Sequence, residues 1–238
     1  MTGGEILGGA TLIKVGVAVI QRAAPTGLAL IKSWLKGKEV VVIGQARAGK
    51  TTFLDYLQFG LFEDEKDTSK TLDVLPSARF NIKMGRDSAL ELNVKTAVDV
   101  PGQIGAVAHA DLVFDRKPHA VILVTDLTSP LRGESDRASA AWLSDFCKRL
   151  EARWRAKGRR ANRIKTMILI MNKRDKVDIR RVTSRKKEFQ KILDSELREA
   201  RGQMLNDIAI MPCTLVTNPD GTKSVDGVIG HLAKSLAR

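Results

Sequence analysis

Cysteine and aromatic residues are scarce in this chain, and their scarcity argues against several kinds of protein. Only two of the 238 residues are cysteines, Cys147 and Cys213, and they lie far apart with no metal-binding spacing. We therefore expect reduced thiols in a cytosolic compartment rather than a disulfide framework or a cysteine-ligated metal. Aromatic residues make up 5% of the chain, so few rings are present on which the bases of a single nucleic-acid strand could stack.

Long apolar runs are missing as well. The apolar stretch Ile6–Ile20 is interrupted by three glycines and by Lys14, whereas a membrane-spanning helix needs ~20 mostly apolar residues. No basic segment precedes it and no clear cleavage site follows, so we predict no signal peptide. Thr2 stands where myristoylation requires glycine, and there is no carboxyl-terminal cysteine box for prenylation. We expect a cytoplasmic location, with any membrane contact peripheral.

The first 38 residues are predicted to form an apolar and basic helical extension ahead of a domain that covers residues 39–238. Leu28, Ile31, Trp34 and Leu35 recur at the spacing of one apolar helical face, with lysines beside it. Two interpretations stay open. Either residues 5–36 dock on a membrane surface or on a partner protein, or this helix packs on the domain's own sheet.

Acidic residues are too few to balance the basic ones, and the formal net charge is +13. The excess lies in Lys148–Lys191, which holds 18 Lys or Arg and 4 Asp or Glu, a net charge of +14, and leaves the remainder near −1. Such a basic face is typical of proteins that bind RNA, anionic lipid or an acidic partner. Helices with solvated charged faces explain it equally well, and the scarcity of aromatic residues makes nucleic acid the less favoured partner.

After Lys38, short apolar runs alternate with helical stretches, which predicts an α/β domain. The runs Val40–Ile43, Ala120–Val124 and Thr166–Met171 predict buried strands, and Gly85–Ser88 predicts a hairpin turn. We predict about six strands with helices on both faces of the sheet, and a ligand at the carboxyl ends of the strands. The other predicted elements are strands at 78–84, 90–100 and 208–211, and helices at 51–59, 137–157, 183–204 and 225–236.

The segment Gly44–Thr51, GQARAGKT, follows the first predicted strand directly and leads into a helix. In that context consecutive backbone N–H groups turn inward around phosphates, and the helix N-terminus adds partial positive charge. Its glycines permit the turn, Lys50 reaches the β- and γ-phosphates, and the Thr51 hydroxyl ligates Mg²⁺. Arg47 either faces solvent or leans across the γ-phosphate. The predicted contacts are Gly44, Gln45, Ala46, Arg47, Ala48, Gly49, Lys50, Thr51 and Thr52.

A second motif, Asp99-Val-Pro-Gly102-Gln103, follows another predicted strand. An Asp that leaves a buried strand can hold Mg²⁺, directly or through water. The Gly102 N–H can donate to a γ-phosphate and move when that phosphate leaves, and Gln103 can orient an attacking water. An Asp-x-x-Gly sequence alone is usually a turn, and its place after a phosphate loop and a strand favours the functional interpretation.

A threonine in the acidic segment Glu63–Thr71 is expected to close over Mg²⁺ in the triphosphate state. Thr71 is the first choice because it lies just ahead of the next strand, and Thr68 is the second. Either residue is alternatively a plain loop threonine.

The third motif, Asn172-Lys173-Arg174-Asp175, follows a buried strand and indicates which base is bound. The Asp175 carboxylate can accept two hydrogen bonds from N1–H and the exocyclic amine of guanine. Adenine lacks that donor pair and would leave a buried charge unpaired, so guanine is predicted. Asn172 can tie neighbouring loops together, and the Lys173 stem can lie over the base.

Together the three motifs resemble the P-loop GTPases of the translation-factor and Ras-like superfamily, over roughly residues 39–238. The Asp-x-Pro-Gly form and the apolar amino-terminal segment are most similar to the Arf-like group and to the β subunit of the signal-recognition-particle receptor. The resemblance implies a P-loop NTPase three-layer sandwich with mostly parallel strands, a GTP/GDP switch with Mg²⁺, and an effector, activating or membrane partner. The family's last guanine motif is not clear here. Cys213 and Thr214 hold its place, and the stretch from Thr71 to Asp99 is longer than in compact members.

Two functions from different classes follow. The first is a GTPase switch with slow hydrolysis, in which Gln103, Lys50 and Thr71 take the catalytic roles and a partner protein accelerates turnover. The alternative is a non-hydrolysing, GTP-bound adaptor that docks through its amino-terminal helix or its basic face. An RNA-associated GTPase is a third interpretation, and no oligomeric state is predicted.

Overall fold

The computed structural model describes residues 38–59, 75–76, 80–84, 90–99, 105–128, 134–157, 163–198, 207–216 and 219–237. The amino-terminal extension, the acidic segment with Thr68 and Thr71, and the predicted turn Gly85–Ser88 lie outside these residues. The strands are β1 (Lys38–Gly44), β2 (Leu75–Pro76), β3 (Phe80–Met84), β4 (Leu90–Asp99), β5 (Ala120–Asp126), β6 (Thr166–Asn172) and β7 (Asp207–Pro212). The helices are α1 (Lys50–Phe59), α2 (Ala106–Arg116), α3 (Glu134–Lys157), α4 (Ile179–Glu196) and α5 (Pro219–Ala237).

The strands form one seven-stranded sheet in the order β2-β4-β1-β5-β6-β7, with β3 paired to β4. Strands β4, β1, β5, β6 and β7 run parallel, and β2 and β3 join β4 antiparallel. The predicted α/β class with a mostly parallel sheet is therefore confirmed. The strand count exceeds the predicted six because the two-residue β2 is too short to leave a hydrophobic pattern.

Helices cover both faces of the sheet, and each face has its own core. Alternate residues of the central strands point to opposite faces, so Val41 and Val40 belong to different cores. Helices α2, α3 and α4 pack on one face and helices α1 and α5 on the other. Burial on both faces explains why β1, β5 and β6 are continuous apolar runs rather than alternating ones.

Several predicted helix limits were wrong, and the capping contacts explain one of them. Helix α4 begins at Ile179 instead of Thr183, because the Asp178 side chain accepts a hydrogen bond from the Arg181 backbone N–H at 2.7 Å and caps the helix there. It ends at Glu196, since Leu197 leaves helical backbone values at φ −111°, and residues 199–204 of the predicted helix lie outside the described residues. Helix α5 similarly starts at Pro219, ahead of the predicted Val225, and proline is favoured in the first turn of a helix.

Helix α2 was absent from the sequence prediction. Its buried side, Ala106, Ala110, Val113 and Phe114, follows the spacing i, i+4, i+7, i+8 of an amphipathic helix. Two of these four residues are alanines, so the pattern is weak in hydrophobicity although its period is correct. In the described part of the chain, no helix is long and apolar enough to cross a membrane.

Candidate nucleotide-binding site

The parallel strands bring the sequence motifs to one edge of the sheet. Strand β1 ends at Gly44, β4 at Asp99, β5 at Asp126 and β6 at Asn172, and Asp126 and Asn172 are paired in register. Strand β1 lies between β4 and β5 in the sheet. The chain continues from β1 to the strands on one side of it, and from β5 to β6 and β7 on the other side. A crevice at such a point of reversal is the usual ligand site of an open α/β sheet.

The two glycines of the loop after β1 are needed because protein atoms approach them closely. Gly44 has φ +153°, and a Cβ on it would lie 2.2 Å from the backbone oxygen of Val124 in β5. Gly49 has φ +99°, and a Cβ there would lie 2.4 Å from Asn172 Nδ2. From the sequence, the role of these glycines was predicted to be the turn and the close approach of a ligand. The structure adds that a side chain at either position would collide with the sheet or with the predicted base motif.

Lys50 points into the loop. It is 6% exposed, and its Nζ donates to the Gln45 backbone oxygen at 2.9 Å. A buried ammonium at the first turn of a helix, enclosed by a loop, suits a phosphate chain. By contrast the Arg47 side chain is exposed, and its backbone is left-handed at φ +59°, which costs roughly 1 kcal/mol for a non-glycine residue. Around them Ala46 and Thr51 are exposed, Thr52 is half-buried and Ala48 is buried.

Asn172 joins three segments that are distant in sequence. Its Nδ2 donates to the Ala48 backbone oxygen at 2.9 Å, which ties it to the phosphate loop. Its Oδ1 accepts from the Leu215 backbone N–H at 3.1 Å and from the Lys173 backbone N–H at 2.7 Å. The side chain is 4% exposed, so all of its polar atoms are satisfied within the protein. The predicted role of Asn172 in tying loops is thus visible in the geometry, and Leu215 is an addition that the sequence did not indicate.

Lys173 has a partner that the sequence analysis missed. Its Nζ contacts Asp126 Oδ2 at the end of β5, and Asp126 Oδ1 accepts from the backbone N–H and the hydroxyl of Thr128 at 2.8 and 2.7 Å. Burial raises the pKa of Asp126, but the hydrogen bonds from Lys173 and Thr128 outweigh it and hold that pKa below its ordinary value. The carboxylate is therefore charged at neutral pH and holds the lysine beside the end of β5. A signal was present, since an Asp ends a buried strand here, as at Asp99.

Asp175 lies in a short 3₁₀ turn at 174–176, and the residue is exposed. The Arg174 backbone N–H donates to the Cys213 backbone oxygen at 3.1 Å, which joins this turn to the loop after β7. Burial raises the pKa of the Cys213 thiol to about 12, against weaker hydrogen bonds from Thr214 and Ser224 that lower it. The Cys213 and Thr214 side chains are both buried, so the segment offers backbone groups rather than side chains to a ligand.

Gln45 connects the phosphate loop to helix α3. Ser139, which is 1% exposed, lies 2.6 Å through its hydroxyl from Gln45 Oε1. The same helix packs on α2, where Trp142 meets the buried His109 edge-on at 5.5 Å. Ser139 lies 94 residues from Gln45, and nothing in the sequence pairs the two.

Part of the predicted magnesium and γ-phosphate apparatus lies outside the described residues. The backbone of Asp99 is described as the last residue of β4, next to β1 in the sheet. Gly102, Gln103 and Thr71 fall outside the described ranges, so their assignments stay predictions.

Comparison with known proteins bears on the fold. No protein-family model matches the chain, and neither does any curated protein. Among solved structures, the chain is similar to one titled signal recognition particle receptor SRb-GTP/SRX complex, from Chaetomium thermophilum. The TM-score is 0.53 at 15% identity, over 81% of this chain and 99% of that one. The chain has the P-loop GTPase fold.

A bacterial selenocysteine-specific elongation factor, EF-Sec, is also similar, with a TM-score of 0.48 at 19% identity over 83% of this chain. The chain spans 29% of the length of that elongation factor.

In this GTPase fold the described residues fit a phosphate chain and a base. The loop supplies a buried ammonium at Lys50 and an exposed hydroxyl at Thr51 in the first turn of α1. The turn after β6 supplies an exposed carboxylate at Asp175, and Asn172 fixes that turn to the phosphate loop. Cation, hydroxyl and carboxylate are the donors and acceptors that a guanine nucleotide with Mg²⁺ requires.

Proposed function

We propose that this protein binds GTP and GDP with Mg²⁺ and alternates between the two states as a molecular switch. The observation that carries the proposal is a pair of hydrogen bonds at Asn172, which donates to the Ala48 oxygen and accepts from the Leu215 backbone N–H. They hold the phosphate loop and the base loop in a fixed relation, which a nucleotide that spans both requires. The solved SRb structure, which shares the fold, is of a GTP complex, and this also supports the proposal.

The phosphates are assigned to the loop Gly44–Thr51, with Lys50 as the cation. The Thr51 hydroxyl and Asp99 are the proposed Mg²⁺ ligands, completed by Thr71 or Thr68. Bound Mg²⁺ would neutralise charge on the phosphate oxygens during the transfer. Lys50 is suited to the same task, because it is buried and its amino group reaches across the loop to Gln45.

The base is assigned to Asp175 and Lys173. Asp175 accepts two hydrogen bonds from guanine, and the Lys173 stem lies along the base face. Lys173 is suited to this because Asp126 holds its amino group. Backbone groups of Cys213 and Thr214 are proposed to complete the pocket, as their side chains are buried.

Hydrolysis is proposed to be slow in the isolated protein. Gln103 orients the attacking water, and an activating partner supplies further charge stabilisation, which accelerates such reactions ~10³–10⁵-fold. We expect Gln103→Leu to lower single-turnover hydrolysis while leaving nucleotide affinity intact. Unchanged turnover would remove Gln103 from this role.

The alternative, a non-hydrolysing adaptor that carries GTP as a structural ligand, predicts a different nucleotide content. Purified protein denatured at once should release mostly GDP if it hydrolyses, and mostly GTP if it does not. The SRb structure is a complex with SRX, which supports a protein partner for either function. A cytoplasmic location, with residues 5–36 as a docking segment for that partner or for a membrane, belongs to the same proposal.

The first experiment is a competition titration. The protein is loaded with fluorescent GDP in Mg²⁺ and challenged with GTP, GDP, ATP and XTP, and the titration is repeated with Asp175→Asn. GTP and GDP should compete far better than ATP, and the variant should prefer XTP, because an amide pairs with the xanthine carbonyl where the carboxylate paired with the guanine amine. Equal competition by ATP would leave the phosphate loop valid and refute the guanine assignment.

A further inference from the structure

The basic residues of Lys148–Lys191 do not form one surface. On α3, Arg149 pairs with Asp111 at 2.9 Å, Arg153 pairs with Asp115 at 2.9 Å, and Arg155 lies 3.4 Å from a carboxylate of its own helix. The amino group of Lys173 contacts the carboxylate at the end of β5, as described above. The positive charge that remains available to a partner is therefore smaller than the number of basic residues in the sequence suggests, and it lies mainly outside these paired residues.

Among the residues that the structure describes, that remaining charge is concentrated on the outer face of α4. Arg180, Lys187 and Lys191 are exposed, and among the described residues none of the three forms an ion pair. Residues seven and eleven positions apart on an α-helix return to within about 20° of one line, so the three lie in a row of roughly 16 Å. We call this row, Arg180, Lys187 and Lys191, the α4 basic stripe.

The neighbourhood of the stripe limits what it can bind. Thr183 and Ser184, both exposed and small, lie between its cations and allow a rigid partner to approach closely. Asp194, an exposed carboxylate near the end of the same helix, accepts a hydrogen bond from Gln190 at 2.9 Å. A shallow depression runs along this face, and its charged lining residues are four cations and one carboxylate, Lys186, Lys187, Lys191, Arg198 and Asp194.

Lipid and protein partners fit this face poorly. Of the apolar residues of α4, Val182, Phe189 and Leu193 are buried in the domain core, and Ile192 packs against it. Ile179 in the first turn is the one large apolar residue of α4 that is exposed, at 62%, and a single side chain does not make the apolar face by which a helix binds a bilayer. Aromatic residues anchor protein interfaces and stack the bases of single strands, and the outer face of α4 has none exposed. A duplex needs neither, since lysine and arginine charges spaced along its phosphates supply the binding.

We propose that the α4 basic stripe binds the phosphate backbone of double-stranded nucleic acid. The scarcity of aromatic residues, which disfavoured nucleic acid at the level of sequence, disfavours only single strands. Contacts to phosphates position a protein on a duplex without reading bases, so the binding is independent of sequence. The stripe shares no residue with the phosphate loop or with the base motif Asn172–Asp175, so the proposal stands apart from the guanine-nucleotide assignment.

The test is fluorescence anisotropy of the full chain without added nucleotide, titrated into labelled duplex RNA, duplex DNA and a single strand of the same sequence. Lys187→Glu/Lys191→Glu reverses two stripe charges. Lys223→Glu/Lys234→Glu, at exposed positions of α5 on the opposite face of the sheet, makes the same change in net charge away from the stripe. Binding is measured between about 50 and 200 mM salt.

The expected salt slope is about −2.7 for three neutralised phosphates. The stripe variant should bind duplex at least roughly tenfold more weakly, with a slope shallower by about 2, and the α5 variant should change affinity less than about threefold. The comparison of RNA with DNA identifies which duplex is preferred. Should the reversal disturb folding, Lys187→Gln/Lys191→Gln removes the same charges at similar length.

Four results would overturn the proposal: no duplex binding at about 50 mM salt, equal losses in the stripe and α5 variants, tighter binding of the single strand than of the duplex, or binding of phosphatidylserine vesicles without binding of duplex. The last of these would assign the stripe to a membrane surface. Failure of the guanine competition described above would leave every one of these outcomes unaffected.

Discussion

Replacement of Asn172 by alanine should separate the stability of the site from its affinity for nucleotide. The side chain makes three hydrogen bonds, to the Ala48 oxygen at 2.9 Å, from the Leu215 N–H at 3.1 Å and from the Lys173 N–H at 2.7 Å. Those to Ala48 and Leu215 are buried, so their partners would be left without a replacement for the amide. We expect Asn172→Ala to lower the free energy of unfolding by about 3 kcal/mol, near 1 kcal/mol for each bond.

The same substitution should also weaken GDP binding, for a different reason. Without the amide the phosphate loop and the base loop are no longer held together before the nucleotide arrives. Binding must then order them, at about 1–2 kcal/mol for each residue fixed. One such residue weakens affinity roughly tenfold, so a tenfold or larger loss is expected.

Two measurements check this prediction, both on protein stripped of nucleotide. Urea unfolding followed by tryptophan fluorescence gives stability, and titration with fluorescent GDP gives affinity. The matched control is Thr125→Val, which removes a buried hydrogen bond from Thr125 Oγ1 to the Ile170 oxygen at 3.1 Å between β5 and β6. It should cost about 1 kcal/mol of stability and leave GDP affinity unchanged, because that bond joins two strands and no loop.

The reasoning fails in either of two cases. If the free energy of unfolding of Asn172→Ala lies within about 1 kcal/mol of that of the unmodified protein, the hydrogen bonds of Asn172 are not what holds the loops. If Thr125→Val weakens GDP binding as much as Asn172→Ala does, the loss of affinity results from general destabilisation and not from the loss of the link between the loops.

Three further predictions concern other positions. Gly44→Ala should destabilise by more than about 3 kcal/mol, since its Cβ would meet a β5 carbonyl at 2.2 Å, whereas Gly105→Ala, with open space around it, should stay within about 1 kcal/mol in the same urea assay. Asp126→Asn should weaken GDP binding by at most about fivefold, because the Lys173 it holds is partly solvated; no change in the dissociation rate of GDP would mean that the contact does not serve the base. Burial first, and then the nearby cations, hold the pKa of His119 below 6.5, so its contribution to stability is full above pH 6.5 and is lost as pH falls through the folded pKa. Urea midpoints should therefore fall more steeply below pH 6.5 in the unmodified protein than in His119→Gln. Parallel curves for the two proteins would contradict this.

The sequence by itself determined the features that lie in consecutive residues. The apolar run of β1, the glycines and Lys50 of the loop, and the start of α1 are contiguous, so strand, turn and helix could be predicted together with their chemistry. The runs of β5 and β6 were predictable for a similar reason, as burial on both faces leaves a continuous apolar signal. The proposed base motif Asn172–Asp175 could be placed because it follows directly on β6.

The tertiary structure decided the features that join distant residues. The links Asn172 to Ala48, Gln45 to Ser139 and Lys173 to Asp126 span 124, 94 and 47 positions, and strand order and register bring their ends together. Register also explains why Gly44 must lack a side chain, since the atom that excludes one belongs to β5.

The same distinction holds for charge. The sequence counts cations, but pairing across α2 and α3 decides which of them are neutralised, and helix geometry decides which of the rest fall in one row. The sequence does not show which partner a polar or charged side chain will contact, because packing in three dimensions determines that partner.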